Sequence, residues 1–195
     1  MKTILTSFAL CLLLVPALVA QDKPTLPFYG NETCPVMTGK KVNKRWAVEH
    51  KGQKIYTCCR RCWKKVKTSP EQYAEKAYPK AKVKKINSKV CPLMGKPIKG
   101  GGHKVTWQGH ELTMCCKGCV NGFLKEPSKH LTLILNKDIK DAKNKICPIM
   151  PEEEVVPDLY YVYKKTLISI CCDSCLDEAK EEPEKFLKMV TKKKK

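Results

Sequence analysis

Histidine is scarce in this chain of 195 residues, and the four present, His50, His103, His110 and His130, fall at different places relative to its repeats. A histidine ligand or catalytic base common to the repeats is therefore excluded. They are read instead as solvent-facing or packing residues. Long apolar runs are also missing: the longest, from Ile4 to Ala20, is broken by Pro16 and by small or hydroxyl residues. It falls short of the ~20 apolar residues that a spanning helix needs. A short positive start (Met1-Lys2), this apolar stretch and a polar Gln21-Asp22-Lys23 predict a secretory signal peptide over residues 1–20, cleaved near Ala20. Cys11 would leave with it. The lysines form no pattern interleaved with aromatics, so no nucleic-acid partner is expected. No carboxylate cluster of hard-cation type recurs.

Sulfur is what the chain has in quantity. Cys-Pro-x-Met, twenty residues, then Cys-Cys-x-x-Cys occurs three times without insertion: CPVM at Cys34 with CCRRC at Cys58, CPLM at Cys91 with CCKGC at Cys115, and CPIM at Cys147 with CCDSC at Cys171. Eight residues after the last cysteine of each copy stands a proline (Pro70, Pro127, Pro183), and three residues later a ring (Tyr73, His130, Phe186). Tandem modules are expected over 34–80, 91–136 and 147–191, after an N-terminal linker at 21–33. Net charge is +19, spread as +9 between Cys34 and Tyr73, +4 between Cys91 and His130, and −6 between Cys147 and Phe186. The lysines of 80–89, 137–145 and 192–195 are read as solvating linkers and ends, with an anionic cell-surface component as the functional alternative.

Within each module, β-favouring segments flank a polar break. They are Trp46–Val48 and Ile55–Thr57, Val105–Trp107 and Leu112–Met114, and Tyr160–Tyr163 and Ile168–Ile170. Helical spacing follows the doublet at Trp63 and Val66, at Val120, Phe123 and Leu124, and at Leu176 and Ala179. The proline ends that helix or opens the next. The expected fold is α+β: three tandem small zinc-ribbon or treble-clef-like modules, each a knuckle, a β-hairpin and a short helix. Some forty residues bury too little apolar surface to offset chain ordering, so a metal, disulfides or docking must staple each unit.

Twelve cysteines remain after Cys11, four per repeat. An exported chain with an even count invites a disulfide framework, although adjacent cysteines such as Cys58 and Cys59 cannot bridge without a strained ring. Alternatively, a cysteine at a Pro-containing turn and two more four residues apart converge three thiolates: Cys34, Cys58 and Cys62; Cys91, Cys115 and Cys119; Cys147, Cys171 and Cys175. Thiolate sulfur is soft and takes Cu(I) or Zn²⁺. Two residues compete for a fourth place in each copy: the methionine (Met37, Met94, Met150) and the inner doublet cysteine (Cys59, Cys116, Cys172). A thioether in the shell points to copper and a thiolate to zinc or a wider range, while a methionine outside it would plug the small core.

The tetrad, hairpin, doublet strand and following Pro with a ring three residues on resemble the YHS domain, which is similar in turn to TRASH domains and to treble-clef-like zinc ribbons. The resemblance covers all three modules and implies heavy-metal binding through Cys34, Cys58 and Cys62 and their counterparts. The strand before the doublet ends in Thr57, Met114 or Ile170 where that family often has an aromatic. The expected function is an exported copper- or zinc-binding protein for sequestration, delivery or resistance. Its expected partners are metal ions, with a metal transporter as a candidate. The alternative is a disulfide-stapled secreted interaction module. No enzyme is expected, because no repeat shares a base beside a cysteine. The Cys59-x-x-Cys62 spacing resembles a redox pair but lacks the strand and helix alternation of a thioredoxin-like domain.

Overall fold

Each tetrad-and-doublet segment folds into the same small unit in the computed structural model, which describes residues 23–192. The expected signal peptide lies outside the described residues, as do 193–195 of the lysine tail. The first unit contains β1 (Asn43–His50), β2 (Gln53–Thr57), α1 (Arg60–Thr68) and α2 (Pro70–Ala77). The second contains β3 (Lys84–Ile86), β4 (His103–Trp107), β5 (His110–Met114), α3 (Lys117–Lys125) and α4 (Pro127–Leu135). The third contains β6 (Lys140–Asp141), β7 (Tyr160–Tyr163), β8 (Thr166–Ser169), α5 (Ser174–Glu181) and α6 (Pro183–Lys192). The architecture is α+β, with small sheets and paired helices repeated three times. No described helix is long and apolar enough to cross a membrane.

The hairpins close through two-residue turns with both residues at positive φ: Lys51-Gly52, Gln108-Gly109 and Lys164-Lys165. That conformation matches the twist of the flanking strands. Glycine adopts it freely at the second position of the first two turns, whereas Lys165 holds it at φ 59° with a full side chain. Pro70, Pro127 and Pro183 each open a second helix, where a missing N–H costs nothing.

The segments read as solvating linkers do more than join modules. Lys84–Ile86 and Lys140–Asp141 add a third strand to their sheets, parallel to β5 and β8. Their lysine side chains can remain in water because an edge strand exposes one row of its backbone, and edge lysines also discourage further pairing. The ladder begins with Lys84 N–H to Gly109 O and Lys140 N–H to Lys165 O, both 2.8 Å. In the first unit the matching residue is Pro27, which has no N–H. There Gly52 O accepts from Trp107 Nε1 of the second unit at 3.1 Å, so the missing strand becomes an inter-unit contact.

The stretch at 21–33, expected as a linker, is a strap in its described part. Thr25 bridges Val162 in unit three, and Tyr29 packs edge-on against Trp107 and His110 in unit two. Its hydroxyl pairs with Thr132 Oγ1 at 2.8 Å, and Asn31 then enters unit one. Thr132 Oγ1 also meets Tyr160 Oη at 2.7 Å, and Tyr160 Oη meets Ser128 Oγ at 2.8 Å, so a buried hydroxyl chain ties units two and three.

Unit cores are small. Val48, Ile55 and Val66 fill the first; Trp107, Leu112, Met114, Phe123 and Leu131 the second; Tyr161, Tyr163, Ile168, Ile170, Ala179 and Val190 the third. A further cluster of Tyr160, Val162 and Leu167 with Leu133 and Ile139 joins the last two units. Docking therefore supplements each undersized core. Of the helical periodicity, Val66, Phe123 and Ala179 face inward, whereas Leu124 is 46% exposed. One turn of a nine-residue helix contacts the hairpin through a narrow stripe, and Leu124 lies beside that stripe.

Candidate metal centre

Three elements bring sulfur together in each unit. The tetrad cysteine opens a knuckle closed by Cys34 N–H to Lys40 O (2.8 Å), Cys91 N–H to Lys96 O (2.7 Å) or Cys147 N–H to Glu153 O (2.9 Å). The first doublet cysteine follows the second hairpin strand. The last one sits in the first turn of the helix. That helix starts at Arg60, Lys117 or Ser174, after the doublet, so the first cysteine of each pair precedes the helix and only the last lies on it. Cys59 and Cys116 hold extended backbone at the N-cap (φ −161° and −156°), and the kink itself lets Cys58 and Cys115 turn back toward the site.

The result is three sulfur triads: Cys34, Cys58 and Cys62; Cys91, Cys115 and Cys119; Cys147, Cys171 and Cys175. Within each, the Sγ atoms lie within 4.8 Å of one another. The separations Cys58–Cys62, Cys115–Cys119 and Cys171–Cys175 are each 3.6 Å, and Cys147–Cys175 is 3.8 Å. A disulfide requires about 2.05 Å, and all twelve described cysteines are free thiols. A metal–sulfur bond of about 2.3 Å places tetrahedral ligands about 3.8 Å apart. The sulfurs are spaced as ligands of one soft ion.

Electrostatics differ among the three members in the same way in every unit. The tetrad cysteine is deeply buried, which raises its pKa, but backbone N–H groups outweigh that. Val36, Met37 and Cys58 serve Cys34; Cys115, Met94 and Leu93 serve Cys91; Met150, Cys171 and Ile149 serve Cys147. All three thiols are shifted down, Cys91 to about 7. Burial dominates at the other two positions and pushes Cys62 and Cys175 up, Cys119 to about 12 and Cys171 to about 11. Each metal-free site thus has one thiolate-prone anchor and two protonated partners that must release protons on binding.

The rivals for a fourth place are placed differently. Met37, Met94 and Met150 are 44%, 57% and 44% exposed, so none plugs a core. In units one and three the methionine's carbonyl closes the knuckle loop (Lys40 N–H to Met37 O, Glu153 N–H to Met150 O), whereas in unit two Gly95 N–H bonds Cys91 O. Met37 Sδ stands 4.0 Å from Cys58 Sγ. The inner cysteines approach the helix-borne sulfur, Cys116 to Cys119 at 3.6 Å and Cys172 to Cys175 at 3.3 Å, yet none joins its triad. No histidine joins a triad either. His130 stacks on Phe123, and His110 Nδ1 pairs with Gln108 O at 2.9 Å.

One positioning residue escaped the sequence reading. Asn31 and Asn144 stand three places before Cys34 and Cys147. Asn31 Nδ2 donates to Thr33 O (2.9 Å) and Tyr56 O (2.8 Å), and its Oδ1 accepts from Tyr56 N–H (2.9 Å). Asn144 repeats this with Ile146 O (2.9 Å), Ser169 O (2.8 Å) and Ser169 N–H (3.1 Å). The side-chain amide continues the parallel ladder where the main chain peels away into the knuckle, and so holds the tetrad cysteine beside the doublet. Ser88 stands at that position in unit two and reaches only Val90. An Asn in register in two of three copies was a signal available in the sequence.

The fold and the three triads define a class of site, a repeated three-cysteine centre compatible with a soft metal ion. Comparison with family models, curated proteins and solved structures finds no match.

Proposed function

We propose that this chain is an exported soft-metal-binding protein, with YHS/TRASH-like modules that each hold Cu(I) or Zn²⁺ for sequestration, delivery or resistance. The observation that carries this reading is the sulfur spacing of 3.6–3.8 Å in units whose cysteines are otherwise free thiols. Three thiolates alone complete a trigonal Cu(I) shell, whereas Zn²⁺ would need a fourth ligand, from solvent, from a partner, or from an inner cysteine or methionine drawn into the shell. Copper is therefore the favoured cargo. The open side of each site is where a delivering or receiving thiolate would enter, and a metal transporter is the proposed partner. Export through residues 1–20 belongs to the same proposal, as does a role without catalytic turnover.

The test is metal uptake by the reduced protein under anaerobic conditions, with Cys34→Ser, Cys91→Ser and Cys147→Ser singly and together. Wild type should bind at least one Cu(I) or Zn²⁺ per unit, each single variant should bind one ion fewer than wild type, and the triple variant should bind three fewer. A protein isolated from its own compartment with six disulfides and no metal would instead support the interaction-module alternative.

A further inference from the structure

In unit three a second sulfur triangle closes beside the first. Cys172 Sγ lies 3.3 Å from Cys175 Sγ and 3.9 Å from Cys171 Sγ, while Cys171 and Cys175 are themselves 3.6 Å apart. Cys147 lies with the same two sulfurs, and Cys172 stands outside that group. Four sulfurs around one tetrahedral ion would require Cys172 to approach Cys147 as well. The arrangement is instead two triangles hinged on the Cys171–Cys175 edge.

Its cause is visible in the side chain two positions after the inner cysteine. Ser174 Oγ lies 3.0 Å from Cys172 Sγ and holds that sulfur over the shared edge. The matching positions are Arg61 in unit one and Gly118 in unit two, which offer no hydroxyl. In units one and two the inner cysteines Cys59 and Cys116 also face their outer pair. The closest approach is in unit three, where Cys172 stands 3.3 Å from Cys175 against 3.6 Å for Cys116 and Cys119, and only there does a seryl hydroxyl fix the inner sulfur.

We propose that unit three binds two Cu(I) ions, one in each triangle, with Cys171 and Cys175 as bridging thiolates, Cys147 and Cys172 as terminal ligands, and Ser174 as the residue that positions Cys172. Four thiols give up four protons to two ions, leaving a cluster of net charge −2. Trigonal sulfur sites sharing an edge suit a soft monovalent ion. The inference rests on the soft-metal reading of the triads.

Native mass spectrometry of the anaerobic, reduced full chain titrated with Cu(I) as its acetonitrile complex, in the presence of a competing Cu(I) chelator, tests it. Wild type should take up four Cu(I); Cys172→Ser and Ser174→Gly should each stop at three, whereas Cys59→Ser should still reach four. A copper–copper scattering vector should be present in the X-ray absorption of wild type and absent from Cys172→Ser. Saturation of wild type at three, or retention of four by Cys172→Ser, overturns the two-ion site while leaving the triads intact. Loss of the fourth ion in Cys59→Ser overturns its assignment to unit three. Failure of wild type to bind any Cu(I) overturns the soft-metal reading itself.

Discussion

Removing the Asn144 side-chain amide should loosen the third site without touching a sulfur. Asn144→Ala deprives Ser169 N–H, Ser169 O and Ile146 O of their partner, and Ser169 is only 2% exposed. A buried polar group left unpaired costs about 1–3 kcal/mol. Two of the three orphaned groups belong to Ser169, while half-buried Asn144 would leave water some access to the third. A net loss of about 2–3 kcal/mol follows. If the knuckle's attachment contributes to holding Cys147 near Cys171, a loss of about 2 kcal/mol in preorganisation lowers metal affinity roughly 30-fold at that site. Denaturant unfolding of the metal-free protein, Cu(I) competition and amide exchange read three faces of the same change. Exchange at Ser169 should accelerate in Asn144→Ala and at Tyr56 in Asn31→Ala, with Thr113 unchanged in both. Ser88→Asn should have the opposite effect, adding about 1 kcal/mol by reaching Thr113. Stability within about 0.5 kcal/mol of wild type, with Ser169 still protected, would refute the amide as the clamp.

Burial raises the Asp158 carboxyl to about 6, against the opposing pull of backbone N–H groups of Lys129 and Ser128, one of them at 2.8 Å. A carboxyl raised in the fold contributes stability that is complete below its unfolded value near 3.8 and is lost as pH rises through about 6. Asp158→Asn, tolerated at φ 61°, should therefore raise the thermal midpoint at pH 8, by at most about 3 kcal/mol of stability, and converge with wild type near pH 4. Equal pH profiles for the two proteins would refute this. Lys165→Gly should stabilise by about 0.5–1 kcal/mol, since relief of the positive φ exceeds the loss of an exposed ion pair to Asp138 at 3.1 Å; unfolding midpoints check it, and a lower midpoint contradicts it. Tyr161→Phe removes a buried hydroxyl that has no partner and should stabilise the metal-free chain by about 1–2 kcal/mol. A destabilised variant would mean that the hydroxyl is paired.

Repetition made the site legible in the sequence. Three copies at one spacing identified the nine triad cysteines, and β-favouring segments on either side of a polar break placed the hairpins; burial then alternates along β2 and β5, whereas Leu167, Ile168 and Ser169 of β8 are all buried. What stayed hidden depended on contacts between units. Lys84–Ile86 and Lys140–Asp141 have the composition of a solvated linker, and nothing local announces that each will lie beside a strand some 25 residues ahead. Tyr29 and Thr25 belong to a segment before the first repeat, yet their partners are in units two and three. The methionines kept their place in every copy, which reads equally as core or ligand until the fold leaves all three side chains exposed on the knuckle.

The strap and the triads bear on each other. A unit of this size held by its own core alone would lean heavily on metal for its fold, and removing the ion would unfold it. Here Trp107 donates to Gly52, Tyr29 reaches Thr132, and the Thr132–Tyr160–Ser128 hydroxyl chain crosses the next seam, so every unit has an anchor other than sulfur. Such an arrangement separates folding from loading. Metal can then leave a site at the cost of re-protonating thiols such as Cys119 and Cys171, which burial already favours in the protonated form. For the proposed metal carrier this would be the useful regime, because an ion whose release does not require unfolding could be passed on by ligand exchange at an exposed inner cysteine such as Cys116. A chain built this way should keep its hairpin amides protected from exchange after chelation, whereas a fold organised by metal alone would lose that protection along with the ion.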